Sequence, residues 1–108
     1  MSDRITLSRA IAALAGSSDP SYAVLLERGT LEIAYYKPEL VDQQKPHQQD
    51  EVYVVASGSG YFMNGETRVP FEPGEVLFVP AGVVHRFEDF SEDFATWVLF
   101  YGPEGGEG

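Results

Sequence analysis

Turn signals divide the chain after residue 20 into short apolar runs, and their spacing strongly constrains the fold. Asn64-Gly65, Pro73-Gly74 and Pro80-Ala81-Gly82 separate runs that are rich in β-branched and aromatic residues. Asn-Gly is the strongest short signal for a β-hairpin. Turns at roughly every eight to twelve residues predict about seven or eight short strands in an antiparallel sandwich or barrel.

A single helix is predicted ahead of these strands, over residues 6–16. Four apolar residues fall at i, i+3, i+4 and i+7 and share one helical face: Leu7, Ala10, Ile11 and Leu14. Thr6 can cap the start of this helix, and Gly16 can end it. The fold class is therefore all-β with a short N-terminal α-helix.

The chain has 108 residues, which predicts a single domain over residues 1–108. Within it we expect the barrel to span 22–101. The acidic, glycine-rich segment 102–108 is predicted to be a flexible tail. Strands near the middle are apolar on both faces, so they need cover from the barrel interior on one side and from another surface on the other.

Composition excludes several kinds of partner and site. The net charge of −10 argues against nucleic acid and anionic membranes, because both require a basic surface. No apolar run approaches the roughly 20 residues of a membrane span. The chain has no cysteine, so disulfides and thiolate metal sites are excluded. The expected location is the cytoplasm.

The chain has only two histidines, and each lies beside a turn or strand signal. His85 ends a pattern of Gly74, Pro80, Gly82 and His85. This spacing closely resembles the second motif of the cupin family, which ends with Asn where this chain has Asp89. The resemblance covers roughly residues 22–101. It implies a cupin-type β-barrel, the RmlC-like jelly roll or double-stranded β-helix.

The first cupin motif is matched less completely. His47, Glu51 and Gly58 fit it, whereas Lys45 stands where the family has its first histidine. Cupins commonly bind a metal with three histidines and one glutamate. A lysine ammonium has no free lone pair at neutral pH, so it replaces a histidine ligand poorly. The carbonyl oxygen of either Gln44 or Gln49 could take that place, and the sequence does not choose between them.

The residues themselves support the same site. His47 and Glu51 are an even number of residues apart, so in an extended strand they point to the same face. If the strand of His85 lies beside theirs, two imidazoles and one carboxylate form a facial triad with open positions. The resemblance and this pattern together predict one divalent metal, with Fe, Mn, Ni and Zn not distinguished. Two alternatives remain: Glu51 pairs with Arg68 or Arg86, or the barrel has lost its metal.

Four apolar residues are candidates for the lining of a pocket beside the metal: Tyr53, Val55, Phe62 and Phe87. Tyr53 and Val55 share the parity of Glu51, and Phe87 shares that of His85. The alternative for all four is packing in the barrel core.

The expected function is metal-dependent chemistry on a small organic molecule inside the barrel. The resemblance implies a range of activities, since dioxygenases, isomerases, decarboxylases and simple binding proteins share this fold. The facial triad favours oxygen-dependent oxidation. A non-enzymatic binding or sensing protein and a metal-free structural cupin are the alternatives. Small single-domain cupins are usually homodimers, so a homodimer is expected.

Overall fold

A computed structural model describes residues 4–42 and 47–107 of the chain. In that part of the chain, one helix, α1, spans Leu7–Ala15. Eight strands follow it: β1 Tyr22–Arg28, β2 Leu31–Tyr36, β3 Asp50–Ser57, β4 Gly60–Asn64, β5 Thr67–Phe71, β6 Val76–Val79, β7 His85–Glu88 and β8 Ala95–Tyr101.

Helix α1 begins and ends where the sequence predicts. The Thr6 hydroxyl oxygen accepts a hydrogen bond from the Arg9 amide at 3.1 Å, and Gly16 caps the C-terminus. Of the predicted apolar face, Ala10 and Leu14 are buried against Ala23, Tyr35 and Ala95. Leu7 and Ile11 remain 48% and 55% exposed, because the sheet covers only the side of the face that carries Ala10 and Leu14.

The strands form two antiparallel sheets, which confirms the predicted all-β class. One sheet has the order β1-β2-β8-β3-β6, and the other has the order β5-β4-β7. Apolar side chains from both sheets meet in one core, with Tyr53 and Val98 from the first and Phe62 and Phe87 from the second. Within the described residues the strand ladder of one sheet does not continue into the other, so hydrogen bonding does not close the barrel.

The turn between β3 and β4 requires glycine. Gly58 has a φ of +82°, and a Cβ there would lie 2.5 Å from the Phe94 Cα. Asp89 is also left-handed, with a φ of 49°. Asn and Asp tolerate this conformation better than other side chains, which suits the position where the cupin motif has Asn.

The segment after β8 contacts the start of β3. Gly105 donates its amide to the Gln48 carbonyl at 2.7 Å. The Asp50 carboxylate accepts from the amides of Glu107 and Ala81, each at 2.9 Å. Asp50 therefore joins the C-terminal segment, β3 and the turn before β7.

In the part of the chain that the structure describes, no helix has the length and hydrophobicity needed to cross a membrane.

Candidate metal centre

His85 lies at the first position of β7 with its ring orientation fixed. Its Nδ1 is 2.9 Å from the Val83 carbonyl oxygen. A carbonyl can only accept, so Nδ1 carries the proton, and in the neutral ring Nε2 carries the lone pair. That Nε2 lies 3.0 Å from Glu51 Oε1. Metal-binding histidines typically have their second ring nitrogen held by a carbonyl in this manner.

Glu51 points into the interior from β3 and is completely buried. Its cross-strand neighbours are Val79 on β6 and Phe100 on β8, both apolar. Neither carboxylate oxygen has a properly aligned hydrogen bond within the described residues. Burial of an ionised carboxylate is costly unless a cation or donors compensate. A cation close to Glu51 would offset this cost.

His47 precedes β3 and links the two sequence motifs. Its carbonyl oxygen accepts a hydrogen bond from the Gly82 amide at 2.7 Å. Its ring packs edge to face on Phe100, with the ring centroids 4.6 Å apart, and lies 5.5 Å from the His85 ring. The turn glycine of the second motif thus holds the histidine of the first motif beside His85.

The three side chains form a group that fits a metal ion. One ligand atom from each of His47, Glu51 and His85 lies within 4.8 Å of the others. Four buried polar atoms in this group have no hydrogen-bond partner among the described residues: His47 Nε2, Glu51 Oε1, Glu51 Oε2 and His85 Nε2. Buried polar groups in native proteins are nearly always satisfied. A divalent cation would satisfy all three side chains at once, and two imidazoles with a carboxylate suit several transition metals.

The two histidines differ in their protonation. Burial acts to lower the pKa of His85, but the Glu51 carboxylate and the Val83 carbonyl outweigh it and raise this pKa above the ordinary 6.5. Burial lowers the pKa of His47 below the ordinary value, with the attraction of Glu51 opposing it. His47 is therefore the readier of the two to bind a cation as a neutral imidazole.

Of the two glutamines predicted as a possible further ligand, Gln49 has its amide nitrogen bonded to other parts of the chain, and Gln44 lies outside the described residues. The Gln49 amide nitrogen donates to the carbonyls of Thr30 and Gly102, at 3.2 and 2.9 Å. Gln44 and Lys45 are outside the described residues. The alternative ion pair for Glu51 is wrong, because Arg68 and Arg86 both pair with Glu88 on the surface.

The four candidate pocket residues all lie in the core. Tyr53, Val55, Phe62 and Phe87 are each at most 2% exposed. The rings of Tyr53 and Phe62 lie beside the His85 ring, at 6.0 and 6.4 Å between centroids. These two aromatic residues enclose the candidate metal centre from the core side.

On the side away from Tyr53 and Phe62, His47 lines a cleft of about 720 Å³. Residues outside the four candidates line it, among them Tyr22, Tyr36, Val41 and Phe100. Asp42 lies behind this wall, where its carboxylate accepts from the Tyr36 hydroxyl at 2.6 Å and from the Phe87 amide at 2.7 Å. Strand parity could have indicated Tyr36, which shares a face with the buried Ala34.

Comparison with known proteins agrees with the fold and the motifs. Residues 32–101 match the model of the cupin domain, so the chain belongs to the cupin family. A cupin 2 conserved barrel domain protein from Salinispora arenicola has the same fold, with a TM-score of 0.63 over 75% of this chain and 74% of its own, at 17% identity.

Two curated relatives differ in how much of them is matched. An uncharacterised protein of Streptomyces coelicolor is 38% identical over 90 residues, which is 82% of this chain and 86% of that protein. Acireductone dioxygenase 1 of Coprinopsis cinerea is 40% identical over 47 residues, which is 38% of this chain and 26% of the enzyme. The second likeness is therefore local.

Proposed function

We propose that the protein binds one divalent metal ion through His47, Glu51 and His85 and uses it in oxygen-dependent oxidation of a small organic molecule. The observation that carries this proposal is the set of four unpartnered buried polar atoms on these three side chains. Such a group is costly to fold without a cation, since like lone pairs face each other in an apolar setting. We expect Gln49 to stay outside the ligand set.

A facial triad leaves metal positions open, where a bound ion can activate oxygen or polarise a substrate oxygen atom. The chain's own residues supply the rest of the site. Val83 fixes the ring of His85, and Gly82 fixes the backbone of His47. Tyr53 and Phe62 exclude water from the core side, so a substrate reaches the centre past His47.

The cleft beside His47 supports a small-molecule substrate. Its volume of about 720 Å³ lies within the range of roughly 300–1,000 Å³ that is usual for ligand pockets. Aromatic side chains form much of its wall, with Tyr22, Tyr36 and Phe100 around the opening at His47.

The local likeness to acireductone dioxygenase 1 supports the choice of oxidation among the activities that cupins perform. Fold alone does not fix activity, so the reaction needs a direct test. The test is to measure metal content of the purified protein by elemental analysis, and then oxygen uptake with acireductone, simple diols and catechols. Metal-dependent uptake with one of these supports the proposal.

Two other outcomes separate the competing functions. A protein that holds metal stoichiometrically and binds these molecules without oxygen uptake is a binding or sensing cupin. A protein that takes up no transition metal at any tested ratio is a structural cupin, and the proposal is then wrong.

A homodimer is also part of the proposed function. The outer face of the five-stranded sheet carries Val52 and Val54 of β3 beside Phe78 and Val76 of edge strand β6. Phe78 and Val76 are 48% and 65% exposed, so this apolar face continues to the sheet edge. A two-fold contact would cover it. Light scattering tests this: we expect a dimer, and Phe78→Asp should shift it to monomer. A monomeric parent protein contradicts the proposed homodimer and leaves the metal function unaffected.

A further inference from the structure

Glu32 is a second carboxylate on the interior side of the large sheet. On β2 it lies on the same face as Ala34 and Tyr36, which are both buried in the core. Its cross-strand partner is Phe100, and the partner of Phe100 on the other side is Glu51. Glu32, Phe100 and Glu51 therefore form one row across three strands. Two strand spacings separate the carboxylates' backbone positions by about 10 Å.

Tyr22 joins Glu32 to the cleft. Its hydroxyl donates to Glu32 Oε2 at 2.6 Å, and its ring lines the cleft together with Tyr36 and Phe100. The Tyr36 hydroxyl donates in the same way to Asp42. Burial, reinforced by these carboxylates, raises the pKa of both tyrosines, so both keep their protons. Because those protons are committed to carboxylates, the phenols offer a ligand only oxygen lone pairs and ring faces.

The charges around this cleft are mostly negative. The charged carboxylates that line it are Asp19 and Glu39, and no lysine or arginine of the described residues does so. Glu27 lies directly opposite Glu32 in the β1–β2 pair. Like charges in opposite cross-strand positions destabilise a sheet. A cation beside Glu32 would relieve this repulsion.

A second observation places an unsatisfied polar group at one end of the cleft. His47 lines the cleft, and behind it lie Glu51 and His85, both almost wholly buried with polar atoms that lack partners. The cleft therefore has two chemically different ends. One end would hold a metal. At the other, the Tyr22 side chain lines the cleft and the Glu32 carboxylate lies one hydrogen bond behind its hydroxyl.

Building on the proposed metal function, we propose that Tyr22 and Glu32 form a subsite for the ammonium group of the substrate. The substrate class is then a small amine that carries oxygen donors at its other end, towards His47. The Tyr22 oxygen can accept a hydrogen bond from the ammonium, and the negative charge of Glu32 behind it strengthens the attraction. The rings of Tyr36 and Phe100 can add cation–π attraction. An anionic tail would meet repulsion at the same place.

The test uses three catechols that share a metal-binding head and differ only in the charge of the tail. They are dopamine, 3,4-dihydroxyphenylethanol and 3,4-dihydroxyphenylacetate, which carry an ammonium, a hydroxyl and a carboxylate. Zinc-loaded protein avoids oxidation of the catechol, because zinc is redox-inert. Calorimetry at low salt should show dopamine binding at least tenfold more tightly than the acetate, with the alcohol between them. Higher salt should reduce the difference in affinity between dopamine and the acetate, because it screens the charges.

Glu32→Gln keeps the size of the side chain and removes its charge. We expect it to reduce the preference for dopamine over the acetate to within threefold while zinc content stays the same. The matched control is Glu66→Gln at the exposed tip of the β4–β5 hairpin, which removes the same charge and should leave the preference unchanged.

The outcomes separate this inference from the proposed function. If the protein takes up no zinc, the metal function fails. If it holds zinc and none of the three catechols binds it more tightly than zinc-free protein, the ammonium subsite fails. If all bind in a zinc-dependent manner with equal affinity, or the acetate binds most tightly, the ammonium subsite fails and the metal function stands. This ranking in the parent protein decides the inference even if Glu32→Gln does not fold. An unchanged preference in a folded Glu32→Gln protein also overturns it.

Discussion

His85 Nε2 lies 3.0 Å from Glu51 Oε1, with both side chains almost wholly buried and without the alignment of a hydrogen bond. Because Nδ1 of the same ring is directed at the Val83 carbonyl, the neutral imidazole presents a lone pair to the carboxylate. Two lone pairs at this distance repel unless a proton or a metal ion lies between them. The pair therefore has two stable states, an imidazolium–carboxylate ion pair and a metal complex.

Replacement of a ligand should remove the metal. We expect His85→Ala and Glu51→Gln each to lower zinc affinity by at least 100-fold, because each removes one of three ligands. Changes to residues that only orient a metal ligand typically lower metal affinity by about 10–100-fold. The matched control is Gln49→Ala, in the same stretch, whose amide is bound to Thr30 and Gly102. Elemental analysis after dialysis measures the effect. Full occupancy in both ligand variants would refute the site, and metal loss in Gln49→Ala would make Gln49 a fourth ligand.

Gly58 should tolerate no side chain, whereas Gly74 should tolerate one at moderate cost. Both have positive φ, at +82° and +87°, but a Cβ at Gly58 would meet the Phe94 backbone and one at Gly74 would meet nothing within 4 Å. Gly74→Ala should cost about 1–2 kcal/mol from backbone strain. Gly58→Ala should cost about 2 kcal/mol more, since the backbone of Phe94 must move. Urea unfolding measures the difference, and equal costs would show that the close approach is relieved easily.

Asp42 should stabilise the wall of the cleft. Asp42→Ala leaves the Tyr36 hydroxyl and the buried Phe87 amide without their acceptor, at about 1–3 kcal/mol for each orphaned donor. The control is Asp93→Ala, where an exposed carboxylate accepts from Ser91 and little loss is expected. Denaturant unfolding of the two variants compares them. A loss below 1 kcal/mol in Asp42→Ala would mean that water replaces the carboxylate.

The sequence predicts the parts of this molecule that depend on local chemistry. Strand number, the helix caps at Thr6 and Gly16, and the antiparallel class follow from turn residues and hydrophobic periodicity, and the structure confirms them. The family spacing groups Glu51 with His85, and the structure brings their side chains into contact.

Other features depend on contacts between distant segments, which local patterns do not record. Asp42 lies in a loop, and only the folded chain brings it to the Phe87 amide. Glu32 resembles any polar residue on a half-exposed strand until β8 and β3 align it with Glu51. Ile11 has the correct helical period and is still exposed, because the sheet covers only part of the helix face.

The affinity for metal should fall as the pH falls, in two stages. Metal binding requires neutral imidazoles, so protons compete with the ion. The pKa of metal-free His85 is raised above 6.5, because Glu51 and Val83 outweigh the burial that lowers it, so His85 takes up its proton first. The pKa of His47 is lowered below 6.5 by burial, so its competition begins at lower pH. Above about pH 6.5, the logarithm of affinity should therefore fall by up to about one per pH unit as the pH is lowered, and the slope should steepen towards two below that pH.

Competition titrations with a chelator of known protonation, between about pH 7.5 and 5, test this behaviour across the histidine range. His47→Ala should weaken binding and remove the steeper stage while the first stage remains. A surface site made of carboxylates alone is a real rival in a chain with 17 acidic residues. Such a site would hold its affinity down to about pH 5, where carboxylates begin to protonate. A flat profile between about pH 7.5 and 5.5 would therefore exclude histidine ligation, because either imidazole must lose its proton before it binds the metal.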